Sequence, residues 1–126
     1  MTLLLDTHAF LWWVGDDPRL SARARRAITD AACVISVASC WEMSLKAGLG
    51  RLDVPRPIVR FLQQQLEVNG FSVLPVSLEH AAAVAELPFH HRDPFDRLLA
   101  AQARQDDLAI VSADPVFRKY GVRRVW

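Results

Sequence analysis

The run TLLLD at residues 2–6 is apolar without alternation. A strand with one wet face alternates polar and apolar side chains. A short unbroken run is what a strand covered on both faces requires. The rest of the sequence supplies the partners and the covers. CVISV (33–37), FSVLPV (71–76) and LAIVSAD (108–114) read as further strands, and GVRRVW (121–126) as a short last one. Helical stretches separate them. HAFLWWV is a short helix, and Ser21 caps another that runs to about Asp30. SCWEMSLKAGLG is helical and stops at its glycines. Ile58, Phe61, Leu62 and Leu66 recur at helical spacing before Gly70. SLEHAAAVAELP is a helix capped by Ser77 that ends before Pro88, and HHRDPFDRLLAAQA (90–103) carries the next. This alternation predicts an α/β fold, one domain over residues 1–126, with a mostly parallel sheet of about five strands flanked by helices.

Composition narrows the function classes. The chain has 126 residues, 52% apolar and 23% charged, so it can bury a real core and is not disordered. Cys33 and Cys40 are too few for a disulfide framework and lack paired zinc spacing, and they read as small buried hydrophobes. The start, MTLLLDTHAFLWWVGDD, has no basic leader, is broken by Asp6 and His8, and is too short to span a membrane. The expectation is a cytoplasmic protein with no membrane partner. A net charge of +1 does not advertise a nucleic-acid binder, yet thirteen Arg stand against two Lys. Arg suits phosphate because its planar fork bonds two oxygens at once, although runs such as RARR usually lie on a solvated helix face.

The acids carry the chemistry. Asp93 is a good N-cap, Pro94 fits the first helical position, and Asp96 then sits at N3, so capping alone explains both acids. At about 100° per residue, Phe95, Leu98, Leu99 and Gln102 form the inner face, with Ala103 and Asp96 along its edge and Arg97 and Arg104 turned away. A carboxylate bordering the interior needs partners. Asp6 directly follows LLL, and Asp114 closes LAIVSAD, both at the edge of a parallel sheet where sites gather. An Asp there is also an ordinary turn or cap residue. Glu42 has Lys46 four residues on, the spacing of an ordinary surface pair, yet it borders the apolar side of its helix, beside a Trp41 expected in the core. Together these readings bring four acids, Asp6, Glu42, Asp96 and Asp114, to one sheet edge. At about 4 Å and an effective dielectric of 20, each carboxylate pair costs roughly 4 kcal/mol. Such a cluster persists with shared protons or a cation, and all-oxygen donors favour Mg²⁺ or Mn²⁺. That is the equipment for metal-assisted phosphodiester hydrolysis.

LLLDTHAFLWW, ISVASCWEMSLKAGLGRL, LPFHHRDPFDRLLAAQA and LAIVSADPVFRKYGV resemble, in order and spacing, the blocks of PIN-domain ribonucleases, most closely the VapC-type toxins of toxin–antitoxin pairs. The resemblance covers nearly the whole chain. It implies a PIN-like fold, Mg²⁺- or Mn²⁺-dependent endonucleolytic cleavage of RNA, restraint by a VapB-type antitoxin protein, and a homodimer. Asp6, Glu42, Asp96 and Asp114 match the family's four acids. Asp6 and Asp96 are expected as direct metal ligands, with Glu42 and Asp114 holding water or a second ion. Ser112 matches a small hydroxyl position that helps hold the acids, and Asp93 a companion acid. His8 stands where many relatives carry Asn or Ser. RNA contacts are expected from a few Arg among Arg92, Arg97, Arg118 and Arg124.

The remaining polar and aromatic residues carry modest expectations. His90 and His91 fall in a loop and are expected to meet solvent or RNA rather than a metal. His80, in an Ala-rich helix, reads as structural. His8 either supports Asp6 or starts its helix. Trp12 and Trp13 can stack bases but more commonly build core and interface, and Trp126 can pack on a neighbour. Two other functions compete. A haloacid-dehalogenase-type phosphatase also begins strand–Asp, but its chemistry wants a second Asp two residues on, where this chain has His8. A non-catalytic RNA- or protein-binding module would keep the fold without cutting, yet it gains nothing from clustered acids.

Overall fold

A computed structural model describes all residues 1–126. Five strands form one wholly parallel sheet: β1 (Thr2–Leu5), β2 (Ala32–Ser36), β3 (Ser72–Leu74), β4 (Ala109–Val111) and β5 (Arg124–Val125), in the order β3-β2-β1-β4-β5. β1 lies at the centre, with Leu4 opposite Val34 on one side and Ile110 on the other. The helices are α1 (Thr7–Val14), α2 (Ala22–Asp30), α3 (Val37–Gly48), α4 (Ile58–Asn69), α5 (Leu78–Ala83), α6 (Pro94–Gln105) and α7 (Val116–Lys119).

The unbroken LLL run has the expected physical cause. Leu3 and Leu5 point into one core with Phe10, Ile28, Ile35 and Met43, while Leu4 points into a second core with Leu99, Ile110, Phe117 and Tyr120. All three leucines are essentially sealed from solvent. Fully burying a leucine is worth about 1.5–3 kcal/mol, so a central strand that wets neither face anchors both layers.

Local signals set the helix ends. The Ser21 and Ser77 hydroxyls accept from Ala24 and His80 N–H, and Gly70 stops α4 in the left-handed region at φ 67°. Three expectations need correction. Helix α3 begins at Val37, not after it, because the Ser36 hydroxyl accepts the Ala38 N–H and caps the helix directly at the strand end. The helix after Ser77 is shorter than expected, ending at Ala83 and tightening into a 3₁₀ turn at Val84–Glu86. Trp41 is 59% exposed rather than in the core. It shares an outward stripe with Val37 and Leu45 at helical spacing, while Ala38, Ser39, Glu42 and Met43 turn inward.

Helix α6 is rotated relative to expectation. Leu99, Ala100, Gln102 and Ala103 are buried, whereas Phe95 and Leu98 are half-buried, with Phe95 edge-on to Trp41 at 5.3 Å. Asp96, beside the buried Leu99, Ala100 and Ala103, is half-buried and borders the interior as expected. Arg104 is exposed as expected. Cys33 is buried and Cys40 half-buried, and burial pushes both thiols up, Cys33 to about 11. His80 is the structural histidine the sequence suggested: its Nδ1 accepts the Ser77 N–H and its Nε2 meets Asp106 Oδ1 at 3.0 Å. No helix is long and apolar enough to cross a membrane.

Candidate active site

A parallel sheet sends every strand's carboxyl end to the same edge. Asp6 follows β1 there, and its Oδ1 accepts the Ala9 N–H at 2.8 Å, capping α1. Helix α3 leaves β2 at that edge and carries Glu42 inward. Helix α6 runs back antiparallel to the strand it precedes, so its first turn, with Asp96, also opens there. Asp114 follows β4, its N–H donating to the Ser112 hydroxyl at 3.0 Å and its Oδ1 accepting the Val116 N–H at 2.9 Å. Asp93 is the N-cap of α6, as predicted, with Oδ1 accepting from Phe95 N–H at 2.8 Å.

These elements enclose a cavity of about 320 Å³ lined by five carboxylates, Asp6, Glu42, Asp93, Asp96 and Asp114, together with Lys46 and His8. Glu42 is 4% exposed. Its Oε1 accepts the Thr7 hydroxyl at 2.6 Å and its Oε2 the Lys46 ammonium at 2.6 Å. The Glu42–Lys46 pair at the surface spacing therefore exists, but its carboxylate end is buried in the site. The electrostatics match the crowding. Burial pushes the Asp6 carboxyl up, and Glu42 adds to it, against the Ser112 hydroxyl, the Ala9 N–H and His8. Burial also pushes Asp96 up to about 7, with Asp93 and Asp6 adding to it and His91 opposing. At Asp6 and Asp96 a bound cation would favour the ionised form that burial disfavours.

The donor chemistry fits a hard divalent cation. The oxygens are carboxylate, they belong to four different elements, and Lys46 is the one permanent side-chain cation lining the cavity. Glu42 has both oxygens engaged, which suits a supporting position better than a direct one. The starts of α1 and α6 aim their positive dipole ends at Asp6 and Asp96.

The four arginines lie outside this cavity. Arg124 donates to the Ser112 and Ala113 carbonyls, at 3.0 and 3.3 Å, and so braces the segment that carries Asp114. Arg97 is turned to the Val84 and Pro88 carbonyls and stacks on Phe89 at 4.7 Å, which straps the loop before α6. Both Arg97 guanidinium Nη groups and the Arg124 Nη1 are thus spent on backbone carbonyls. Arg92 and Arg118 are exposed. His8 sits at the rim, stacked on Trp12 at 5.6 Å. Trp12 also meets Trp126 and carries Arg19 over its ring, whereas Trp13 donates its indole N–H to Asn69.

Sequence reasoning missed two residues, Thr7 and His91. Thr7 binds Glu42 and was visible only as a chain neighbour of Asp6, whereas the Glu42–Lys46 pair was read from its spacing, but as a surface pair. His91 was expected to meet solvent or RNA. Instead its Nε2 lies 3.1 Å from Asp96 Oδ2 and 3.4 Å from Asp114 Oδ2. The only sequence signal was its position two residues before the N-cap.

Acids from the ends of two strands and from two helices, gathered over a parallel sheet, define a nuclease-like acidic centre on an α/β scaffold. The PIN domain model matches residues 3–123, and the chain belongs to that family. It is 33% identical over 121 residues to Ribonuclease VapC22 of Mycobacterium tuberculosis, covering 94% of this chain and 92% of that one. Solved structures share the fold. VapBC2 from Rickettsia felis, bound to a promoter DNA fragment, superposes with a TM-score of 0.68 at 14% identity over 100% of both chains. DNA-bound VapBC from Salmonella typhimurium superposes at 0.69 with 16% identity, over 98% of this chain and 96% of that one. FitAcB from Neisseria gonorrhoeae gives 0.65 at 22% identity, over 97% and 95%.

Proposed function

We propose that this chain is a VapC-type endoribonuclease toxin that hydrolyses RNA phosphodiester bonds with Mg²⁺ or Mn²⁺ and is restrained by a VapB-type antitoxin. The observation that carries the reading is the cavity of five carboxylates in a chain 33% identical to a VapC ribonuclease along nearly its whole length. Asp6 and Asp96 are the direct ligands in this reading. Glu42 and Asp114 flank them, Ser112 and Arg124 hold the β4 end in place, and Thr7 and Lys46 fix Glu42. A bound divalent cation supplies an activated water and neutralises charge on the scissile phosphate.

A larger cleft of about 610 Å³ shares Thr7, His8, Trp12 and Lys46 with the acid cavity and opens onto it, its added charges mixed between Arg19 and Arg51 and Asp17 and Asp53. An antitoxin tail that set an Arg or Lys among the carboxylates would block the same place. The exposed Val37, Trp41 and Leu45 stripe, continued by Phe95, is the apolar face that supports the expected homodimer.

The test is cleavage of a mixed RNA substrate by the purified chain with Mn²⁺, with Mg²⁺ and with EDTA, beside Asp6→Asn. Cleavage that needs the metal and Asp6 is expected. Binding without cleavage in either metal would establish a non-catalytic module instead, and cleavage undiminished in EDTA would remove the metal from the reading.

A further inference from the structure

His91 joins two carboxylates that reach the cavity from different elements, Asp96 from α6 and Asp114 from the β4 end. The ligating atoms of the three residues lie within 4.8 Å of one another, a triangle that resembles a ligand set. The other edge of the imidazole argues against that. Its Nδ1 accepts the backbone N–H of Asp93 at 3.0 Å. A backbone N–H can only donate, so Nδ1 presents a lone pair, and the single proton of the neutral ring is on Nε2. Nε2 therefore offers a hydrogen, not a lone pair, to Asp96 Oδ2 and Asp114 Oδ2. A metal-binding histidine shows the reverse, with a bare nitrogen toward the ion and the opposite N–H donating to a carbonyl or carboxylate.

We propose that His91 is a displaceable internal competitor for the divalent cation. Its Nε2–H holds Asp96 and Asp114 together in the metal-free chain and withdraws from them when the cation binds. This rests on the reading of the cavity as a divalent-cation site. A cation bound to those oxygens would compete with the Nε2 proton, since both seek the same lone pairs. The ring has a way out. Its side chain is 26% exposed, Asp114 beside it is 41% exposed, and Phe89, His90 and Arg92 around it in the chain are exposed. Lys46 occupies Glu42 in a similar way, but removing it would strand a buried carboxylate, so His91 is the cleaner position to test.

The experiment measures Mn²⁺ binding to the full chain from the loss of the free-ion electron paramagnetic resonance signal. Wild type, His91→Ala and His91→Gln are compared after exchange from EDTA. His91→Ala is expected to bind Mn²⁺ about tenfold more tightly. His91→Gln keeps an amide N–H within reach of the same oxygens and is expected to stay within about twofold of wild type. Affinity unchanged or weakened in His91→Ala overturns the proposal.

A second readout needs no variant. Electron spin-echo modulation of wild-type-bound Mn²⁺ is expected to lack coupling to a directly ligating nitrogen. Such coupling makes His91 a ligand and overturns the competitor role while leaving the cation site intact. Absence of Mn²⁺ binding by both wild type and His91→Ala overturns the cation site itself.

Discussion

Replacing Asp96 by Asn removes one ionisable carboxyl from the cavity and leaves its shape almost unchanged. Burial and the nearby Asp93 and Asp6 carboxylates push Asp96 up to about 7, against 3.8 for an ordinary aspartate. The folded, metal-free chain thus holds a proton that the unfolded chain releases. Because the folded value is the higher one, the associated stability is fully present below pH 3.8 and is lost as the pH rises through 7. The upper bound on that loss is about 4 kcal/mol. Asp96 is 24% exposed, and solvent screening lowers the expectation to about 1–3 kcal/mol. Asn carries no charge at any pH. In EDTA at pH 8, Asp96→Asn should therefore melt higher than wild type, by about 3–10 °C for a chain of this size. The gap should narrow steadily as the pH is lowered toward 4. The same variant should lose RNA cleavage by orders of magnitude in Mn²⁺. Thermal melts in EDTA at several pH values, paired with cleavage assays, check both halves. A variant that melts at or below wild type at pH 8, or a gap that ignores pH, would mean that the carboxylates do not strain one another.

Further outcomes follow from the same geometry. Millimolar Mg²⁺ should raise the melting temperature of wild type, by about 2.7 kcal/mol of stabilisation at a hundredfold excess over Kd, and that of Asp6→Asn much less; equal shifts would dissociate Asp6 from the cation. Asp93→Asn should keep the fold and most cleavage because Asn caps as well as Asp, whereas Asp93→Ala should lose about 1 kcal/mol in urea unfolding. Arg124→Met frees the Ser112 and Ala113 carbonyls, so cleavage should fall at least about tenfold with a stability loss of only about 0.5–1.5 kcal/mol; intact turnover would show that the brace is dispensable. Trp41→Asp should convert a dimer to a monomer by light scattering without lowering the melting temperature of the fold, and an unchanged mass would move the dimer face elsewhere.

Much of the molecule was legible in the chain because its signals are local. LLL, with no polar residue to turn outward, required a central strand covered twice, and Leu3, Leu4 and Leu5 divide between the two cores as that requires. Ser21, Ser77, Asp93 and Gly70 mark helix ends through bonds and backbone angles that span only a few residues. Trp41 was misjudged for a related reason. Hydrophobicity says that a side chain avoids water, but not whether its own core or another surface covers it.

The sequence by itself determined that a parallel α/β sheet would form and that Asp6 and Asp114 would stand where strands end, since strand direction alone sends those residues to one edge. Only the tertiary structure decided which face α6 buries, that the Glu42–Lys46 pair sits in the cavity, that Thr7 holds Glu42, and that His91 bridges Asp96 and Asp114. Those contacts join residues as far apart as Thr7 and Glu42, and they depend on how helices pack across the sheet. Helix packing is set by the summed fit of many side chains, and no short stretch of sequence encodes it.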